Sequence, residues 1–169
     1  MKRTVDKVAE YVLEYFMKED PAQIAHTQCV ASYTHYIAVC ENLPERETDL
    51  MEMAAWLHDI GCPASKKKYG NTMPVHQEEE GRIEAERLLK DIDELAENEK
   101  EWIADVVGNH HRRSEVDRLK FAPLFDADCI VNMTEGYYPK ENAEAILEKA
   151  VSTKCGKEIF RKLFMEAKQ

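Results

Sequence analysis

The chain of 169 residues, 44% of them hydrophobic, is long enough for one domain with a buried core. Its formal net charge of −10 argues against a general binder of nucleic acid or of anionic membrane surfaces. The five cysteines are an odd number without C-x-x-C spacing, which argues against a disulfide framework or a zinc–thiolate site, so we expect reduced thiols.

The first residues lead into a charged amphipathic stretch rather than an apolar one, so the sequence predicts no signal peptide. It also contains no run of about 18 apolar residues, and therefore predicts no membrane-spanning helix. We expect a cytoplasmic protein, and the sequence leaves its oligomeric state open.

Apolar residues recur at helical spacing over residues 4–17 and predict the first helix. Asp20 and Pro21 then break this helix and predict the start of a second, with Asp20 as N-cap and Pro21 at the first helical position. The second helix is predicted to reach about residue 42. A third is predicted from near residue 45 to about residue 60.

Glycine, proline and polar residues mark three breaks after residue 60, which are residues 61–74, 112–118 and 136–139. Helices are predicted between and after these breaks, over about residues 75–90, 98–111, 119 or 123 to 133, 141–151 and 156–167. No segment alternates like a strand. The sequence thus predicts an all-α, single-domain helical bundle over residues 1–169, with about seven to eight helices.

Histidines are the first candidates for chemistry, because a neutral imidazole offers a lone pair to a metal near neutral pH. The most specific pair is His58-Asp59, at the end of an apolar helical segment and followed closely by Gly61, which allows a sharp change of direction. The alternative is that both residues merely cap the helix. His26 lies on an apolar helical face, whereas His35 is about half a turn out of phase and is predicted not to be a ligand.

Further candidates lie later in the chain. His76 opens a predicted helix, and His110 ends another in phase with its apolar face, with the adjacent His111 as an alternative or assistant. Asp126 and Asp128 both fall in an apolar helical segment, where a carboxylate is costly unless it is paired or bound to metal. Because they are two residues apart, only one of them is expected to face a site.

The order His26, His58-Asp59, Asp128 resembles the H…HD…D signature of the HD superfamily of metal-dependent phosphohydrolases, over about residues 20–135. The stretches that carry the resemblance are His26-Thr27-Gln28-Cys29-Val30-Ala31, Ala54-Ala55-Trp56-Leu57-His58-Asp59-Ile60-Gly61 and Phe125-Asp126-Ala127-Asp128. The family's fold is a helical bundle with the metal site at its centre, which agrees with the predicted helices.

The resemblance implies that His26, His58, Asp59 and Asp128 ligate a first metal ion, with His58 and Asp59 at the centre of catalysis. Two-metal members carry additional histidines between the HD pair and the last aspartate. His76 and His110, or His111 in place of His110, occupy this interval, so the resemblance favours a second ion bridged to the first by Asp59. The donors are N and O atoms, which suit Fe, Mn, Co, Ni, Zn or Mg.

The resemblance implies hydrolysis of a small, nucleotide-like phosphomonoester, phosphodiester or phosphoanhydride. Basic residues beside the candidate ligands would bind the phosphate, and these are Lys66, Lys67, Lys68, Arg112 and Arg113. The lysines can instead form a solvated loop. Two other functions remain open, namely a di-iron oxygenase with the same ligands and a non-catalytic, metal-binding regulatory module.

Overall fold

A computed structural model describes residues 2–166, and no β-strand occurs within that range. The helices are α1 (Thr4–Glu19), α2 (Gln23–Cys40), α3 (Glu45–Leu57), α4 (Cys62–Tyr69), α5 (Pro74–Leu89), α6 (Glu97–Val107), α7 (Arg113–Leu119), α8 (Ala122–Thr134), a 3₁₀ turn (Lys140–Asn142), α9 (Ala143–Lys149) and α10 (Lys154–Phe164). The predicted all-α fold is confirmed.

Two segments that the sequence predicts as loops are short helices, and the predictions for these segments are wrong. Helix α4 forms because Pro63 suits a first helical turn, and Gly70, with φ of 71°, ends the helix in the left-handed conformation. Helix α7 is polar overall, but Val116 and Leu119 lie one turn apart and are both buried. Burial of these two side chains stabilises a helix that its other residues do not predict.

Helix α2 also begins later than predicted, at Gln23 instead of Pro21. Asp20 does not cap it through its side chain, because that carboxylate pairs with Lys66 of α4 at 2.6 Å. The backbone carbonyl of Asp20 instead accepts a hydrogen bond from the Gln23 amide at 3.1 Å, which closes a turn before the helix. Asp20 therefore joins α4 to the start of α2.

Helix α2 lies at the centre of the fold and packs against α3 and α8, while α1 packs on α3 and α5 packs on α4 and α6. One continuous cluster of buried apolar side chains fills the space between these helices, and Phe16, Met53, Leu57, Ile103 and Ile130 are fully enclosed in it. In the described part of the chain, no helix is long and apolar enough to cross a membrane.

Candidate metal centre

Three segments bring four histidine and aspartate side chains together at one point. His26 lies in the first turn and a half of α2, and Asp128 lies in the middle of α8. His58 and Asp59 occupy the turn that follows α3, where the Ile60 amide donates a 3.0 Å hydrogen bond to the Leu57 carbonyl. The chain leaves regular helix geometry there, so two adjacent side chains can both turn towards α2.

The spacing of four side-chain atoms matches that of ligands around one ion. The Nε2 atoms of His26 and His58 are 3.3 Å apart, and Asp59 Oδ2 lies 3.5 and 3.4 Å from them, respectively. Asp128 Oδ1 lies 3.4 and 3.8 Å from the same two nitrogens. Atoms about 2.0–2.3 Å from a shared ion, at right or tetrahedral angles, are separated by roughly 3–4 Å. Donor atoms of His26, His58 and Asp59 all lie within 4.8 Å of one another and could hold a metal ion, and Asp128 lies close to the two histidine nitrogens of that group.

Two buried histidines are held by the same type of contact. His58 Nδ1 donates to the Ala55 carbonyl at 2.7 Å, and His110 Nδ1 donates to the Val107 carbonyl at 2.8 Å. Each acceptor lies three residues earlier, in the last turn of α3 or α6, where helix carbonyls lack a partner within the helix. With the proton on Nδ1, each Nε2 presents a lone pair to the centre, as metal ligation requires.

His26 is oriented by a carboxylate instead. Its Nδ1 donates to Glu135 Oε2 at 2.9 Å, while its Nε2 faces Asp59 and Asp128. Burial opposes a charge on His26, but the two aspartates outweigh burial and raise its pKa to about 9. The two carboxylates thus favour a positive charge at this position. A metal ion bound by His26 Nε2 would have to displace the proton there.

The carboxylates remain anionic despite burial. Burial would raise the pKa of Asp59, but His58, His110 and His26 outweigh it and hold that pKa below the usual range. The pKa of Asp128 is likewise lowered, because the contact with His26 outweighs burial. Two largely buried negative charges beside histidine nitrogens form a donor set for a cation.

A second group of donors lies on the other side of Asp59. Its Oδ1 is 3.5 Å from His110 Nε2, and His111 stacks on His110 with ring centroids 3.9 Å apart. Donor atoms of Asp59, His110 and His111 lie within 4.8 Å of one another. His110 Nε2 and His111 Nδ1 are buried without a hydrogen-bond partner. Unpaired buried nitrogens of this kind are rare and fit a site for an ion.

A family model for the HD domain matches residues 24–152, which include both groups of donors and most of the helices. The chain belongs to the HD domain family. No curated protein and no solved structure gives a significant match. Most HD domains are metal-dependent phosphohydrolases, and the His/Asp groups of this HD domain could hold a metal.

His76 belongs to neither group of donors in this HD domain. Its ring stacks on Tyr69 at 3.9 Å between centroids, and its Nδ1 contacts Asn71 Oδ1 at 2.8 Å. The next residue, Gln77, lines the cleft in front of the centre together with His26 and Asp59. Adjacent helical residues point about 100° apart, which explains why Gln77 faces the cleft and His76 does not.

The five basic residues predicted to bind phosphate all lie beside carboxylates, and none lines the cleft. Their partners are Asp20 for Lys66, Glu19 for Lys67, Glu79 and Glu80 for Lys68, Glu78 for Arg112 and Asp117 for Arg113. The Arg112 pair is the most enclosed, because Glu78 is only 3% exposed and also accepts the His111 amide at 3.2 Å. Arg112 thereby neutralises a buried carboxylate that positions His111.

Two further residues line the cleft and are not among those predicted from the sequence: Asn132 on α8 and Glu135 at its C-cap. They follow Asp128 by four and seven residues, respectively, and this helical spacing is the signal that could have identified them. Each contacts a candidate ligand directly, because Asn132 Nδ2 donates to Asp128 Oδ1 at 2.9 Å and Glu135 Oε2 accepts from His26 Nδ1 at 2.9 Å.

Replacement of Glu135 by Ala is expected to weaken metal binding by about 10–100-fold, because His26 loses the carboxylate that orients its ring. Calorimetric titration with Mn²⁺ would measure this change. Glu52→Ala is the matched control, since Glu52 contacts Nδ1 of the other histidine of α2, His35, at 2.8 Å. We expect both Glu52→Ala and His35→Gln to bind metal like the parent. Equal losses in the Glu135 and Glu52 variants would contradict this role for Glu135.

Proposed function

We propose that this HD domain is a metal-dependent phosphohydrolase that acts on a small phosphorylated substrate. The observation that carries the proposal is the convergence of four side chains in a chain of this family: the Nε2 atoms of His26 and His58 are 3.3 Å apart, and carboxylate oxygens of Asp59 and Asp128 each lie 3.4–3.8 Å from both nitrogens. Three of these side chains line a cleft of about 470 Å³, which lies within the size range of small-molecule sites.

The four proposed ligands differ in their exposure. The His58 side chain is only 1% exposed and faces the centre from the protein interior, whereas His26, Asp59 and Asp128 are 13–17% exposed and face the cleft. An ion held here would polarise a phosphoryl oxygen and lower the pKa of bound water. The arrangement leaves the cleft side of the centre open to a substrate, as catalytic metal sites require.

The residues around the centre would then have different roles. His58 and His110 would be held in orientation by their hydrogen bonds to backbone carbonyls. Asp59 directs one oxygen to each group of donors, so we propose that it bridges two ions when both sites are filled. Burial and the neighbouring His110 lower the pKa of His111 to about 3, which keeps its lone pair available at neutral pH.

For the second ion we expect His110→Ala to lose about one bound ion per chain and His76→Ala to lose none. His110 Nε2 faces Asp59, whereas His76 is held by Tyr69 and Asn71 outside the donor groups. The number of Mn²⁺ ions per chain is measured by elemental analysis of protein that has been equilibrated with excess Mn²⁺ and then desalted. Equal ion content in the parent and His110→Ala would contradict a second site, and a loss in His76→Ala would restore His76 as a ligand.

The proposed activity is tested by phosphate release from p-nitrophenyl phosphate and from a panel of phosphorylated metabolites. We expect turnover that stops on removal of metal with a chelator and returns on addition of Mn²⁺ or Co²⁺. The same assay under nitrogen separates hydrolysis, which needs no oxygen, from oxygenase chemistry. A metal-loaded protein that hydrolyses no phosphoester, or that reacts only in air, would contradict the proposal.

A further inference from the structure

The cleft in front of the candidate metal centre has an acidic wall. Among the described residues that line it there is no lysine or arginine, while Asp59, Asp128 and Glu135 all contribute carboxylates. Among the described lining residues, only His26 and His111 could carry a positive charge, and both lie in the candidate groups of metal donors. The protein therefore supplies negative charge to the cleft, and positive charge comes from bound metal.

This charge distribution sets a limit on the substrate. One phosphate group at the centre would be neutralised by the ions beside it, but each further phosphate would extend into a cleft whose described lining offers no lysine or arginine. Lys66, Lys67 and Lys68 do not supply that positive charge, because they pair with acidic residues outside the cleft. A further phosphate would share the cleft with the Glu135 carboxylate and have no cationic side chain to neutralise it, and like charges at short range disfavour binding. The cleft thus favours a single phosphate over a polyphosphate chain.

Aromatic and amide side chains provide the remaining recognition groups. Tyr137 and Tyr138 line the cleft and meet edge to face, with centroids 5.1 Å apart and planes at 83°. Tyr137 is 74% exposed, so one face of its ring is accessible. Gly136, at φ of 76°, and the 2.9 Å hydrogen bond from the Tyr137 amide to the Asn132 carbonyl fix the turn that presents this ring.

Such a ring binds planar groups by stacking. Neutral amides complete the lining, with Gln23 on the α2 side and Asn132 on α8. Amides donate and accept hydrogen bonds without adding charge, which suits the edge of a heterocycle or the hydroxyl groups of a sugar. The lining therefore changes from acidic at the metal centre to aromatic and neutral near Tyr137.

We propose that the cleft binds a phosphomonoester with a single phosphate at the metal centre and a nucleobase-like heterocycle stacked on Tyr137, and that it discriminates against polyphosphates. This inference rests on the proposed hydrolase function. It adds the specificity-determining role of Tyr137 and the exclusion of longer phosphate chains.

The test compares hydrolysis of the four ribonucleoside 5′-monophosphates with that of ribose 5-phosphate and of the matching diphosphates and triphosphates. We expect kcat/KM for the best monophosphate to exceed that for ribose 5-phosphate and for its triphosphate by at least tenfold. Tyr137→Ala should raise KM for that monophosphate at least tenfold and leave KM for ribose 5-phosphate unchanged. Tyr137→Phe keeps the ring and should retain the parent KM.

Calorimetric binding of the corresponding neutral nucleoside to the metal-free chain separates the inference from the proposed activity. Binding that is lost in Tyr137→Ala and kept in Tyr137→Phe supports the stacking subsite even if no phosphoester is hydrolysed. Hydrolysis of phosphomonoesters with equal kcat/KM for ribose 5-phosphate would overturn the inference while the proposed function stands. Preference for the triphosphate, or an unchanged KM in Tyr137→Ala, would also overturn it.

Discussion

Asp128→Asn is expected to lower metal affinity and metal-dependent phosphate release by more than ~100-fold, with little change in Tm. The Asp128 carboxylate lies 3.4 Å from His26 Nε2 and is anionic, and an amide at this position provides no negative charge to a cation. Loss of an outer contact to a ligand costs about 10–100-fold, so loss of a ligand itself should cost more. Calorimetric titration with Mn²⁺ and phosphate release from p-nitrophenyl phosphate measure the two effects.

Asp126→Asn is the matched control, because this aspartate lies two residues away on the same helix and is fully buried. Its carboxylate faces away from the centre and accepts hydrogen bonds from the Ser152 amide and from the amide and hydroxyl of Thr153, at 2.6–2.9 Å. It therefore ties α8 to the start of α10. We expect this variant to lose about 1–3 kcal/mol of stability and to keep its metal. Loss of metal in Asp126→Asn, or a loss of stability without a loss of metal affinity in Asp128→Asn, would contradict the prediction.

Gly61→Ala is expected to destabilise the fold by about 3 kcal/mol, or roughly 10 °C in Tm, and to disturb the metal centre at the same time. A Cβ at Gly61 would lie 2.7 Å from the Gly81 Cα and closer still to the Gln77 carbonyl oxygen and the Gly81 amide. These are backbone atoms of α5 and cannot rotate away. The turn that carries His58 and Asp59 must then shift relative to α5.

Gly81→Ala is the comparison, because Gly81 of α5 lies opposite Gly61 where the turn after α3 packs against α5. A Cβ there would meet the Val107 Cγ1 side-chain atom at 3.1 Å, and the nearest backbone atom of Gly61 at 3.6 Å. Because a side-chain methyl can yield and alanine favours a helix interior, we expect a change within about 1 kcal/mol. Thermal melts followed by circular dichroism, with metal content measured on the same samples, would compare the two variants with the parent. A Gly61→Ala protein with parental Tm and metal content would show that this crossing is not tightly packed.

Several features of the centre can be predicted from the sequence because they depend on local pattern. The helical phase that separates His26 from His35 needs only the positions of apolar residues along α2. In the structure, His26 faces the centre and the His35 side chain is 43% exposed. The two-residue offset between Asp126 and Asp128 likewise predicts that one carboxylate faces the site and the other does not.

Other features depend on tertiary contacts that no local pattern records. Helix α7 forms because Val116 and Leu119 are buried where it packs on α6 and α8, and its polar sequence alone does not predict it. Lys66 and Arg112 have acidic partners far away in the sequence, Asp20 and Glu78, so their sequence positions next to the HD pair and the histidine pair mislead. Exposure to the cleft, rather than closeness in sequence, decides which residues meet a substrate.

The difference between His76 and Gln77 is the sharpest example of this limit. Both residues lie near the start of α5, and residue type alone favours the histidine as a ligand. A shift of one residue along a helix rotates the side chain by about 100°. The sequence does not fix the start of α5 to within one residue, so it does not fix this direction. Only the packing of α5 against Gly61 fixes which side chain reaches the cleft.

The most direct test of the metal centre is a crystal structure of the protein grown with Mn²⁺, with anomalous scattering used to locate the ion. We predict an anomalous peak about 2.0–2.3 Å from Nε2 of His26, Nε2 of His58 and one carboxylate oxygen each of Asp59 and Asp128. An ion bound elsewhere, or no ion between these four side chains at a saturating Mn²⁺ concentration, would contradict the proposal that this His/Asp cluster is a metal centre.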